Sequence, residues 1–390
     1  MTGFENTAIA FALKTNRELN KTWWLFKFLS YPFLVKIANA CMLAAIKLHL
    51  PIKSIIKKTI YRQFVGGETL DDCNETVDRL AHYNVKSILD YSCESSETEK
   101  QIDLAFAEIM KSIDKATQNH DLAFVVFKPT ALINPQLLEK ISDNNIRHEA
   151  DLADFQKYEI RLESICEKAF NNKISLLIDA EDYCFQNAVD TSVLTMMRKF
   201  NLETAIGYNT LQMYRHDRLD YLNELVKTAS EEKFIAGIKL VRGAYMEKER
   251  ERATLKNYPS PIYPDKNATD HAFDKAVQIC MENLNTLNLF CGTHNETSVQ
   301  KLTHLMAFYN IQNSTPGIWF SQLFGMSDHL SFNLAHRGYK VAKYIPYGPV
   351  EKVVPYLSRR ATENTSVKGQ TGRELRLISL ERKRRKTIGL

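Results

Sequence analysis

From residue 80 onward the chain repeats one unit eight times: an apolar run of strand length that ends in a polar residue, then a stretch of helical length. The runs are 85–89 ending at Asp90, 123–127 at Lys128, 174–178 at Asp179 and 205–211 at Gln212. They continue with 235–241 ending at Arg242, 289–292 at Thr293-His294, 318–321 at Gln322 and 341–343 at Tyr344. Helix-like sequence follows, as in 97–117, 155–171, 189–200, 218–233, 270–287 and 297–310. Runs this uniformly apolar suit strands buried on both faces, and their alternation with helices argues for a parallel sheet. Eight units predict an α/β fold of the (β/α)8 TIM-barrel type. The rival is a doubly wound open sheet, which normally carries a Gly-x-Gly-x-x-Gly fingerprint after its first strand. None occurs here.

In a barrel the carboxyl ends of the strands line the mouth. That gathers Lys128, Asp179, Gln212, Arg242, His294 and Tyr344 on one face. Three regions follow: a helical arm over 1–80, the barrel over 81–366 and an amphipathic, basic tail over 367–390. In the arm, Trp23, Trp24, Phe26, Phe28 and Phe33 suit packing against the barrel, while Lys53, Lys57 and Lys58 would suit a helix lying on an anionic membrane. Packing is the simpler reading. The tail is open to three readings: a solvated end, attraction to anionic lipid, or cover for the site. The segment 247–269, with Pro259, Pro261 and Pro264, reads as a lid or cofactor-covering loop.

Composition narrows the function. A net charge of +5 on 390 residues is too slight to imply a nucleic-acid partner. The seven cysteines are scattered, odd in number and without Cys-x-x-Cys spacing, which suits a reducing compartment and no structural zinc. No His/Cys/carboxylate group has metal-ligand spacing. The first 20 residues lack the basic start and apolar block of a signal peptide. The longest uncharged piece of the arm, 37–46, is too short to cross a bilayer. The expectation is a cytoplasmic protein, or one peripheral on the inner face of a membrane (mitochondrial in a eukaryote).

The last unit carries the most pointed chemistry, Tyr344-Ile-Pro-Tyr-Gly-Pro-Val-Glu-Lys-Val-Val-Pro-Tyr356-Leu-Ser-Arg359-Arg360. Val350, Val353, Val354 and Leu357 have helical spacing, and Arg359 and Arg360 follow Tyr356 by three and four residues, on its face. Two guanidiniums beside phenols suit a small carboxylate with an apolar body; solvated arginines on a surface helix would read the same. Lys128 after an apolar run either pairs with a carboxylate, Asp179 being the candidate, or acts on substrate. Lys239-Leu-Val-Arg242-Gly243-Ala-Tyr245 adds two cations, a phenol and a glycine that lets a ligand approach the backbone. Thr293-His294 opens a helix whose donors could meet a phosphate.

Several motifs, in this order and at successive strand ends, resemble those of proline dehydrogenase, the flavoenzyme that also forms the first catalytic domain of bifunctional proline utilisation proteins. They are Ile88-Leu-Asp-Tyr-Ser-Cys-Glu94, Lys128-Pro-Thr-Ala-Leu132, Ile178-Asp-Ala-Glu181, Gln212-Met-Tyr214, Lys239-Leu-Val-Arg-Gly-Ala-Tyr245, Thr293-His-Asn295 and Gln322-Leu-Phe-Gly-Met326. The stretch from Tyr344 to Arg360 completes them. The wording is closest to the monofunctional, eukaryotic-like branch, with no aldehyde dehydrogenase half.

The resemblance implies a distorted barrel that binds FAD non-covalently and oxidises L-proline to 1-pyrroline-5-carboxylate by hydride transfer to flavin N5. It makes Lys128, Asp179 and Tyr245 the catalytic set, with Asp179 fixing Lys128. Lys128, Tyr245, Tyr344, Tyr356, Arg359 and Arg360 would bind substrate, and Glu94 would gate the site through Arg359. Ala180, Gln212, Lys239, Val241, Arg242, Gly243, Thr293 and His294 would line the cofactor. Electrons would pass to a membrane quinone, and product to a separate 1-pyrroline-5-carboxylate dehydrogenase. Lys239 stands where many bacterial members have arginine, which changes the hydrogen bond offered to the flavin. The bulk of Tyr344 favours proline over hydroxyproline. Two other readings stay open on residues alone: a Schiff-base aldolase using Lys128 or Lys239, and a non-catalytic, membrane-associated barrel.

Overall fold

The computed structural model describes residues 3–48, 51–92, 98–145, 148–366 and 370–389. Helices α1 (Thr7–Ala10), α2 (Asn16–Leu29), α3 (Pro32–Lys47), α4 (Lys53–Ile56), α5 (Arg62–Phe64) and α6 (Asn74–Ala81) come first, with a π-helical turn, Lys57–Tyr61, joining α4 to α5. Next are β1 (Val85–Tyr91), α7 (Glu99–Gln118), β2 (Leu122–Phe127), α8 (Pro135–Ser142), α9 (Glu149–Asn171), β3 (Ser175–Ile178), α10 (Gln186–Phe200), β4 (Gly207–Gln212) and α11 (Arg218–Glu232). After them run β5 (Ala236–Val241), α12 (Met246–Lys256), α13 (Lys266–Glu282), β6 (Leu287–Gly292), α14 (Glu296–Phe308), β7 (Ile318–Leu323) and α15 (Asp328–His336). The chain ends with β8 (Val341–Tyr347), α16 (Val350–Ser366) and α17 (Gln370–Thr387).

The eight strands close in sequence order into one parallel barrel. The (β/α)8 expectation therefore holds, and the open sheet is ruled out. The barrel closes because each strand is apolar enough to be buried inside and out; β4 and β8 are buried along their whole length. Phe124 of β2 meets Tyr208 of β4 and Phe290 of β6, at 5.5 and 5.1 Å between ring centroids. Non-adjacent strands can touch this closely only across the interior, so these rings form a packed layer in the barrel. Gly237 permits the approach of β4 and β5: a Cβ there would lie 2.3 Å from the Gly207 carbonyl oxygen.

The chain divides into two compact units, Met1–Ser92 with Gln322–Leu390, and Cys93–Ser321. In the first, β8 pairs with β1 in register from Val85↔Val341 to Tyr91↔Tyr347. A cluster of Phe26, Leu29, Val35, Phe64, Val350, Val353, Leu357, Leu377 and Ile378 holds the arm and the last two helices together. Thr15 and Glu18 cap α2 reciprocally, which starts it at Asn16. In the second unit, Thr98 and Gln101 cap α7 the same way.

Three expectations change. The eighth strand does not stop at Lys343 but continues through Pro346 to Tyr347. Pro346 lacks only a donor; its carbonyl still accepts from Gly66 N at 2.9 Å. The segment 247–269 is mostly helix, in α12 and the start of α13. The loop between them is tied down: Tyr263 N donates to Tyr214 O at 2.7 Å and His216 N to Pro261 O at 3.0 Å. The tail is a docked helix. Leu377 and Ile378 are fully buried, and Arg385 bridges Glu381 to the carbonyls of Phe11 and Lys14. Among the described residues no single helix is long and apolar enough to cross a membrane.

Candidate active site

In the second unit the ends of β2, β3 and β4 form one polar corner. Lys128 leaves β2 half-buried, and Pro129 opens a 3-10 turn to Ala131. A proline in the first position of such a turn gives up a donor the turn does not use, so Pro129 fixes the exit of Lys128 without an unmet bond. Asp179 follows β3, its N–H donating to Phe127 O at 3.0 Å. Its carboxylate meets Lys239 Nζ at 2.5 Å. Lys239 is buried on β5, beyond β4, and its ammonium lies 5.9 Å from the Phe290 ring centroid. The pair therefore sits on the aromatic layer. Lys239 is a partner of Asp179 that the residue order did not suggest, since lysine and carboxylate are one strand further apart than Lys128 and Asp179.

Glu181 is the residue that sequence reasoning quoted but gave no role. Thr130 N donates to one of its oxygens at 3.1 Å and Thr130 Oγ1 to the other at 2.8 Å. Burial pushes this carboxyl up to about 7, against the charge of Lys128 and the two bonds from Thr130. Its own carbonyl accepts from Gln212 Nε2 at 2.7 Å. The Gln212 oxygen in turn accepts from Ala244 N at 3.3 Å. One glutamate thus links the ends of β2, β3 and β4. Only its place two residues past Asp179 could have signalled this. Ala180 lies between them, half-buried.

A second polar group follows β5 and β6. The Arg242 guanidinium reaches Asp270 at 2.6 Å, Thr293 Oγ1 at 2.7 Å and Ser298 Oγ at 2.9 Å. It also lies 4.4 Å from the Phe273 ring centroid. Asp270, Ser298 and Phe273 are on α13 and α14, and no pattern in the sequence marked them. Asn295 caps α14 by accepting from Thr297 N and Ser298 N. Ser298 Oγ in turn donates to Asp274 at 2.5 Å, so a guanidinium beside a helix start, the two features that suit an anion of phosphate type, is here held by Asp270 and two accepting hydroxyls. Val241 and His294 are half-buried beside this group in sequence. Gly243 has φ +125, and a Cβ there would press on the Tyr214 ring at 2.6 Å, so no larger residue fits. Tyr245 precedes α12, half-buried, with Lys248 Nζ 5.7 Å from its ring centroid.

In the first unit, Tyr344 is on β8 and buried. Its neighbour Lys343 points outward to α15, where it meets Asp328 at 3.0 Å and the carbonyls of Leu323 and Met326. Strand alternation turns Tyr344 to the opposite face, the barrel interior. On α16, Val350, Val353, Val354 and Leu357 are buried as their spacing predicts. The guanidinium of Arg360 stacks over Tyr356 at 5.1 Å, and Arg360 is buried while Arg359 is half-buried. The bland reading of these arginines as a solvated pair does not describe Arg360. Glu94, the expected gate residue, lies outside the described residues.

A parallel barrel with its ionised side chains at the carboxyl ends of the strands is the layout of a barrel enzyme. The family model described as proline dehydrogenase matches residues 73–373. The carbapenem antibiotics biosynthesis protein CarD of Pectobacterium carotovorum is 33% identical over 327 residues, 84% of this chain and 85% of that protein. On these matches the chain belongs to the proline dehydrogenase family. The mitochondrial proline dehydrogenase 1 of Dictyostelium discoideum is 29% identical over 426 residues, 97% of this chain and 74% of that one. Among solved structures, proline utilization A (PutA) from Bdellovibrio bacteriovorus, inactivated by N-propargylglycine, superposes with a TM-score of 0.73 at 19% identity. The superposition covers 92% of this chain and 38% of that one, and at such identity it speaks for the fold.

Proposed function

We propose that the protein is an FAD-dependent proline dehydrogenase that oxidises L-proline to 1-pyrroline-5-carboxylate, the first step of proline catabolism. The family match over residues 73–373 carries this reading. The strand ends fit a flavin dinucleotide in their chemistry. Arg242 beside the start of α14 offers charge and backbone donors of the kind a diphosphate needs, and the buried Gln212 carboxamide can both give and accept a bond at a heterocycle edge. Gln212, Lys239, Val241, Arg242, Gly243, Thr293 and His294, with Ala180, would hold the cofactor. When bound, FAD supplies the two-electron acceptor for the hydride that leaves proline C5.

The chain's own residues supply binding and electrostatics. Arg359 and Arg360 grip the substrate carboxylate as planar forks, and Lys128 adds a third cation. Tyr245, Tyr344 and Tyr356 enclose the pyrrolidine ring and keep water from it. Asp179 pairs with Lys239 and holds its amine in place at the flavin, and a lysine so engaged is not presented to a carbonyl as a Schiff-base nucleophile would be. Glu94 serves as gate to Arg359. The electrons continue to a quinone, product passes to a separate 1-pyrroline-5-carboxylate dehydrogenase, and the enzyme works in peripheral contact with a membrane. The test is optical. Purified protein should be yellow, and anaerobic L-proline should bleach its flavin absorbance. A colourless protein trapped by borohydride with an aldehyde would favour the aldolase reading and overturn this one.

A further inference from the structure

Between Glu18 and Glu68 the chain has no acidic residue, yet it carries Lys21, Lys27, Lys36, Lys47, Lys53, Lys57, Lys58 and Arg62. The whole protein has 46 acidic residues in 390, about one in eight, so a gap of this length is a segregation of charge. Within it, α3 is apolar on nearly every side, and among its described side chains only Val35 is buried. Val35 packs in the cluster with Val350 and Val353 of α16. The rest of its surface shows Phe33, Leu34, Ile37 and Leu43 to solvent, and the second half of α2 shows Trp24 and Phe28. Phe33 is 73% and Trp24 67% exposed. An apolar patch of this kind on a chain whose core is otherwise well filled marks a contact surface.

We infer that α3, with the elbow that joins it to α2, is a monotopic anchor that lies in the interface of an anionic lipid bilayer. The inference deepens the membrane contact of the preceding section and rests on that reading only for why the enzyme needs a bilayer. The geometry favours lying over crossing. α2 is fixed to the body: Trp23 Nε1 donates to Ser379 Oγ at 2.8 Å and Thr22 Oγ1 to Gln63 at 3.2 Å. α3 leaves it at 98°. At about 1.5 Å per residue, α3 is roughly 24 Å long, short of the ~30 Å hydrocarbon core. A helix held sideways, apolar on its outer face and flanked by lysines alone, suits the boundary between headgroups and acyl chains. The elbow carries Tyr31 and the end of α2 carries Trp24, ring types that settle at that boundary, and Lys27 Nζ lies 5.5 Å from the Tyr31 ring centroid. Charge then chooses the partner: Lys53 and Lys57 are met by Glu351 and Glu68 within the fold, whereas Lys27 and Lys36, next to the exposed apolar face, suit phosphate headgroups.

The full-length protein should co-sediment with phosphatidylcholine vesicles containing phosphatidylglycerol. It should leave them as salt is raised, and it should stay in solution with phosphatidylcholine alone. Phe33→Glu with Ile37→Glu should cut the bound fraction at least tenfold while Tm stays unchanged, because both side chains are exposed. Lys27→Glu with Lys36→Glu should lower the fraction bound to the anionic vesicles at low salt, and its difference from wild type should shrink as salt is raised. The inference is overturned if wild type stays in the supernatant, or if the Phe33/Ile37 variant binds as wild type does. It is also overturned if wild type is a dimer that the same variant turns into a monomer without any vesicle binding, since a second copy then covers the patch. Flavin bleaching by proline, read in the same vesicle-free variants, keeps the two proposals apart: bleaching without vesicle binding removes the anchor and leaves the activity, and vesicle binding without bleaching does the reverse.

Discussion

At the scale of single residues, Glu181 is where pH should enter. Its carboxyl is raised by burial from 4.5 to about 7, so the folded protein holds this proton through a range in which the unfolded chain has lost it. The contribution to stability is full below 4.5 and is lost as pH rises through 7. Glu181→Gln, which keeps the bond from Thr130 N but cannot ionise, should flatten the fall in urea midpoint between pH 5 and 8; an unchanged fall would place the titrating group elsewhere. For substrate, Arg360→Met should raise KM for proline by roughly 10–100-fold, the equivalent of losing one charge-assisted bond. Flavin content should stay as in wild type. A normal KM would remove Arg360 from the carboxylate site. Tyr344→Ser should raise the hydroxyproline-to-proline turnover ratio, and a constant ratio would mean that this phenol does not discriminate. At this scale the sequence announced residues that end a strand or repeat along a helix. It was silent on Asp270 and Ser298, because a polar side chain on a helix is ordinary until a strand end 28 or 56 residues away is seen to point at it.

Among the elements, α17 differs most from what its composition suggests. Five consecutive cations, Arg382-Lys-Arg-Arg-Lys386, look like a solvated or lipid-seeking end. In the fold, Arg384 and Arg385 close on the fully buried Glu381, and Glu374 is buried against the start of α15, where it accepts from Ser327 N. Charge counts alone cannot tell a pairing partner from a free cation, and here the partners are internal. Leu377→Ala should therefore cost about 2–5 kcal/mol in urea unfolding, as truncation of a filled core position does. A loss under ~0.5 kcal/mol, typical of surface sites, would show that the helix is not docked in solution. β8 makes the converse point. Its apolar run is legible up to Tyr344, but its continuation through Pro346 to Tyr347 is not, because a proline costs a strand only what its missing donor was needed for, and that need is visible only with β1 and Gly66 in place.

For the whole molecule, the barrel was the most legible feature. Eight buried strands in a parallel array leave a local trace in each segment, and their number and order carry the closure. What has no local trace is which distant segments complete one another. Residues Met1–Ser92 form a compact unit with Gln322–Leu390, and β1 must wait for β8 and α2 for α17. On a ribosome adding roughly 5–20 residues per second, the arm emerges about 15–60 s before its partners exist. Throughout that interval the acid-free stretch that ends at Gly67 is an apolar, cationic ribbon with no tertiary home. This adhesive surface is thus offered to the cell before the segments that cover it exist, and what the ribbon meets in that time decides whether the last helix finds it still available.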